Sequence, residues 1–121
     1  MSEPHTEVSD YAQELISVPS AHVRVDLHQN ERGLELMHNG RTLVECPLTR
    51  EGMMGGGFMA RALGVDIPAL GQSVPARVST GVLYRAFAIS SLDFEKEESY
   101  VLLERLLEEA EMQRAGSSDA V

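Results

Sequence analysis

Tryptophan is absent from this 121-residue chain, cysteine occurs once, at Cys46, and aromatic residues make up only 5% of it. A single thiol excludes an internal disulfide framework and fits a reducing compartment. Basic residues are also scarce: 10 Lys and Arg stand against 19 Asp and Glu, for a formal net charge of -9. A surface of that sign repels phosphate at long range, which argues against nucleic acid and anionic membranes and in favour of apolar, neutral or basic partners. No stretch reaches the roughly 18 consecutive apolar residues of a spanning helix, and no charged segment with an apolar core follows Met1, so the expected location is the cytoplasm.

What is present is enough for a modest core. With 43% hydrophobic residues, the chain suits one compact domain, since domains commonly run to about 100–150 residues. The reading is a single domain over 1–115 and a small, polar, flexible tail over 116–121.

Val8, Tyr11, Ala12, Leu15 and Ile16 recur at helical spacing, and Pro19 ends that helix. Val23, Val25 and Leu27 then alternate with polar residues, the two-residue period of a strand. A second strand, Leu34 to His38, and a third, Arg41 to Cys46, flank Asn39-Gly40, a hairpin signal because a type I′ turn needs positive φ at both positions. The glycine-rich segment after Pro47 leads into a short helix. Val74 to Ser79 and Val82 to Ile89 read as a second hairpin about Thr80-Gly81. Tyr100, Leu103, Leu106, Leu107 and Ala110 form the apolar stripe of a last helix, with Asp93 as its candidate cap. The order α-β-β-β-α-β-β-α predicts an α+β fold with an antiparallel sheet and helices.

A turn at Asn39-Gly40 sets Leu36 opposite Leu43 and Leu34 opposite Glu45 on one face, with Met37 and Val44 on the other. Apolar residues on both faces exceed what a sheet covered on one side needs, so the excess predicts a partner surface. Its candidates are Val8, Tyr11 and Leu15 on the first helix and Leu34, Leu36 and Leu43 on the hairpin.

Three chemical readings fail. The segment REGMMGGGFMARALG (Arg50 to Gly64) lacks the Lys-Ser/Thr pair of a phosphate loop and the βαβ setting of a dinucleotide fingerprint. Its apolar residues instead predict an interface helix, with Met54, Phe58, Met59 and Leu63 at a dimer contact. His22, His28, His38 and Cys46 match no metal motif; on one strand His22 and His28 lie about 20 Å apart. No catalytic residue is assigned: Cys46 reads as a small buried hydrophobe, Ser90 and Ser91 lack a nucleophile-elbow setting, and the carboxylates of the last helix form a solvated face. Catalytic, cofactor-binding and metal sites are all expected to be absent.

On that order of elements, the stretch Gly81-Val82-Leu83-Tyr84-Arg85-Ala86-Phe87-Ala88-Ile89-Ser90-Ser91-Leu92-Asp93, followed by Leu102-Leu103-Glu104-Arg105-Leu106-Leu107-Glu108-Glu109-Ala110, resembles the last strand and closing helix of the class I type III secretion chaperones, the Tir-chaperone-like family. The resemblance extends in pattern from Val8 to about Met112. It implies a non-enzymatic, virulence-associated bacterial protein without cofactor, a dimer with itself or a sister chaperone. Its cargo would be the extended N-terminal segment of a secreted effector or gatekeeper protein, kept competent for export. Strand addition and apolar pockets are the physical means of such binding. The alternative is a non-catalytic regulatory or adaptor domain that binds a folded partner; a small enzyme with carboxylate chemistry is the remaining rival.

Overall fold

The computed structural model describes residues 6–17 and 22–119. A two-residue strand, β1 (Glu7–Val8), precedes the short helix α1 (Asp10–Leu15). Three strands follow, β2 (His22–Asn30), β3 (Gly33–His38) and β4 (Arg41–Pro47), then helix α2 (Arg50–Leu63), strand β5 (Ser73–Ser79) and helices α3 (Thr80–Ser90) and α4 (Glu97–Asp119). The strands form one antiparallel sheet in the order β1-β4-β3-β2-β5. The α+β class with an antiparallel sheet is as expected.

Alternation decides which face is covered. Val23, Val25 and Leu27 share a side with Leu34, Leu36, Val44, Cys46 and Val78, and all are buried against the helices. Glu7, Glu45, Glu35, His28, Asp26, Met37, Arg24 and Arg77 occupy the other side, exposed or half-buried.

The hairpin turn is where it was expected, with Asn39 at φ 51° and Gly40 at 76° and His38 opposite Arg41. The register beyond it is not. An irregularity between Leu36 and Met37 leaves Met37 opposite Thr42 and Leu36 opposite Val44, so Leu43 is the extra residue. One inserted residue reverses the facing of everything beyond it. Val44 thereby joins the core side and Leu43 is also buried, which removes the surplus apolar face that the unbroken register implied.

The segment Val82 to Ile89 is a helix and not a strand. Ser79 ends β5 and caps α3, its Oγ accepting a 3.2 Å hydrogen bond from the Val82 amide. Val82, Leu83, Ala86, Phe87, Ile89 and Ser90 are buried, a helical spacing. Leu83 and Phe87 satisfy both periods, four being a multiple of two and close to a helical turn. Thr80-Gly81 is therefore the first turn of α3. The part of the chaperone resemblance that rested on a strand here changes accordingly.

Smaller differences follow from capping. Val8 pairs with Val44 in β1 instead of starting the helix. Ser9 caps α1, its Oγ accepting from the Ala12 amide at 3.1 Å and donating to the Thr42 carbonyl at 3.0 Å. Leu15 ends α1, and Pro19, the expected stop, lies outside the described residues. Asp93 accepts from the Glu95 amide in a turn before α4 and does not cap the helix itself. Helix α4 continues past Gly116, where a tail was expected.

Candidate protein-binding groove

Helix α2 carries the glycine-rich stretch, and its ends are conventionally made. The Thr49 hydroxyl accepts from the Gly52 amide at 3.0 Å, and Gly64 closes the helix at φ 80°, in the left-handed region. Gly55 and Gly56 lie inside the helix, so their amides serve the helical ladder and form no phosphate cradle. Their function is close approach. A Cβ on Gly55 would sit 2.9 Å from the Ser90 carbonyl oxygen of α3, and one on Gly56 would sit 2.6 Å from Leu34 Cδ1. Helix α2 is thus pressed onto α3 and the sheet within one chain.

That placement corrects the expected dimer contact. Met59 and Leu63 are core residues, and a second chain cannot reach them. Met54 and Phe58 are half-buried. The expected partner surface on the sheet is corrected likewise: Leu34, Leu36 and Leu43 are at most 1% exposed and belong to the core. Val8, Tyr11 and Leu15 pack partly against that core. Tyr11 is further engaged within the chain, stacking on His38 with 6.0 Å between ring centroids and lying 3.8 Å beneath the Arg41 guanidinium.

An open groove of about 520 Å³ runs between α2 and α4. Phe58 of α2 and Tyr100, Leu103 and Leu107 of α4 supply its apolar lining. Phe58 is held by stacking on Phe94 at 5.8 Å, and Phe94 meets Tyr100 edge-on at 6.0 Å. The Tyr100 hydroxyl donates to the Phe94 carbonyl at 2.9 Å, which fixes the ring at the mouth. Glu104, Glu108 and Glu111 line the groove from α4, with Arg61 and Arg114 the basic members. Elsewhere on α4, Val101 and Leu102 remain 67% and 43% exposed, Leu102 on the side of the helix away from the groove. Four apolar side chains among five charged ones make a mainly polar groove that can receive a side-chain-bearing segment of another protein.

Of these residues only Phe58 was singled out from sequence, and for another purpose. Tyr100, Leu103 and Leu107 lie on the apolar stripe read for the last helix, to which no partner role was given. The unused signal was Tyr100-Val101-Leu102-Leu103, four consecutive apolar residues, more than one helical face can bury.

The remaining chemistry is sparse. Burial pushes the Cys46 thiol up to about 11 despite a hydrogen bond with Thr6 that opposes the shift, so at neutral pH it keeps its proton and is a poor nucleophile and metal ligand. His28 and His38 bond separately, to the Ser73 hydroxyl at 2.9 Å and the Arg24 carbonyl at 2.8 Å. Among the described residues, Glu51, Asp93 and Glu95 bring carboxylate oxygens within 4.8 Å of one another. No helix among them is long and apolar enough to cross a membrane. Scans against protein-family models, curated proteins and solved structures found no match to this chain.

Proposed function

We propose that this chain is a non-catalytic protein-binding domain that holds an apolar segment of a client between α2 and α4. The observation that carries the reading is the groove itself, whose lining of Phe58, Tyr100, Leu103 and Leu107 is bordered by the charges of Glu104, Glu108 and Arg61. Apolar side chains of a client would supply affinity there and the charged walls orientation. The more specific reading is a cytoplasmic type III secretion chaperone acting on the N-terminal segment of an effector or gatekeeper. It rests on the small acidic chain and on the resemblance in element order and closing helix, Leu102 to Ala110, the stretch read as its last strand being helical.

Co-expression with secreted proteins encoded by neighbouring genes, followed by copurification, tests both levels. Tyr100→Asp and Leu107→Asp should each release the client while the melting temperature is kept, since an unpaired charge in a filled groove costs about 1–3 kcal/mol or more. If either variant loses its fold, Glu104→Lys with Glu108→Lys, on exposed positions, alters the wall alone and should still weaken the complex. Full retention of the client by folded groove variants refutes the site, and a client that is not a secreted protein refutes the specific reading.

A further inference from the structure

Among the described residues Asn39 is the one non-glycine position with positive φ, at 51°, and Gly40 follows it at 76°. Both are exposed, and a Cβ built on Gly40 would meet nothing within 4 Å. A two-residue turn closes through its flanking pair, here His38 and Arg41, and makes no use of the inner amide, so the Gly40 N–H is left to solvent. The Asn39 carboxamide is loosely held. His38 Nδ1 lies 2.8 Å from the Arg24 carbonyl and so carries the ring proton, which leaves Nε2 to accept from Asn39 Nδ2 at a long 3.3 Å. An electrophilic side-chain carbon and an unengaged backbone nitrogen one residue on thus meet in open space.

We propose that Asn39-Gly40 is a self-modification site, at which the folded hairpin cyclises to a succinimide and deamidates. The Gly40 nitrogen gives its proton to a base and its lone pair to Asn39 Cγ. The new C–N bond closes a five-membered ring as the Cγ–Nδ2 bond breaks, and the amide nitrogen takes up a proton and leaves as ammonia. Water then opens one of the two ring carbonyls. The product at position 39 is an aspartyl residue or an isoaspartyl residue, whose main chain runs through Cβ and Cγ. Ring closure requires ψ of about −120° at Asn39 with φ still positive, the angles of the first central position of a type II′ turn. Types I′ and II′ are both hairpin turns and differ by a flip of the peptide between the two central residues. Gly40 accepts the reversed sign of φ that the flip demands, and the space around it is open. Strands β3 and β4 therefore stay paired while the ring forms. Asn30, the other asparagine of the chain, is the internal contrast: its Oδ1 accepts from the Arg32 amide at 2.7 Å, and Glu31 follows it where Asn39 has a glycine. The isoaspartyl product adds a main-chain carbon to the turn that sets His38 and Arg41 about Tyr11, so the change bears on the anchoring of α1. This site is separate from the α2–α4 groove, and the inference does not depend on the function proposed for it.

Incubation of the folded chain at mildly alkaline pH, followed by peptide mapping with mass spectrometry, tests it. The peptide containing position 39 should gain about one mass unit, with a fraction that an isoaspartyl methyltransferase labels. It should do so at least about tenfold faster than the peptide containing Asn30, whose following side chain crowds the attacking nitrogen. The rate at position 39 should also lie within about tenfold of the rate in the same chain unfolded in urea, whereas a reaction confined to the unfolded state would be slower by about 1,000-fold or more. Asn39→Gly keeps a residue pair suited to the turn and should abolish the gain. An amide at position 39 that persists in the folded chain overturns the proposal, as do equal rates at the two asparagines or a thousandfold suppression by folding. Should Asn39→Gly fail to fold, Asn39→Asp replaces it, and a mass gain of unchanged size in either folded variant overturns the assignment.

Discussion

The Arg41 guanidinium lies 3.8 Å over the centroid of the Tyr11 ring, joining helix α1 to the far end of the β3–β4 hairpin. His38 stacks on the same ring. A six-residue helix is too short to be stable alone, so its position depends on such contacts and on the Ser9 cap. Tyr11→Leu should keep most of the buried area but forfeit the stacking, at about 1 kcal/mol. In a double-mutant cycle with Arg41→Ala, measured by urea unfolding, the coupling should be about 0.5–1 kcal/mol. Additive effects would mean that the ring and the guanidinium are neighbours without attraction.

Two neighbouring glycines of α2 should respond oppositely to alanine. At Gly55 the added methyl would sit 2.9 Å from the Ser90 backbone oxygen, which cannot rotate away as a side chain can, so helix packing must loosen. A loss of roughly 1–3 kcal/mol is expected. At Gly57 the nearest atom to an added Cβ is Ile67 Cδ1, at an ordinary 3.7 Å. There Gly57→Ala should stabilise by about 0.5–1 kcal/mol, because alanine restricts the unfolded chain and favours helix. Thermal melts of the two variants decide the matter; equal shifts would show that helix propensity alone governs both positions.

The buried thiol predicts a pH dependence. Folded Cys46 holds its proton to about pH 11, whereas the reference thiol releases it near 9.0. Between those values the unfolded state binds fewer protons, so stability falls as pH rises through the window and is unaffected below it. The loss approaches roughly 3 kcal/mol for two units. Urea midpoints of the wild type and Cys46→Ala from about pH 8 to 10.5 isolate the effect, because other titrating groups are common to both. Stability differences that stay parallel across that range would place the thiol in contact with solvent.

Much of the sheet was legible because its signals are local. The alternation from Val23 to Leu27 and the positive-φ pair Asn39-Gly40 each depend on residues within a few positions of one another. The groove was not legible for the complementary reason. Tyr100 and Leu107 share a helical stripe with buried Leu103, Leu106 and Ala110, and only the packing of α4 against the rest of the fold decides which of them is covered. The one long-range inference made from the hairpin, that Leu36 and Leu43 border a spare face, failed at a single inserted residue.

The amino-acid sequence by itself determined an acidic α+β chain, one antiparallel sheet, a glycine-lined helix and an amphipathic closing helix, because composition and period act over one or two turns of chain. Tertiary structure alone decided that Leu43 and Val44 both turn inward, that Val82 to Ile89 is helical, and that the glycines of α2 seat it on Ser90 and Leu34. Those outcomes depend on strand register and on the separation of elements distant in sequence. Packing selects them where local periodicity permits more than one answer.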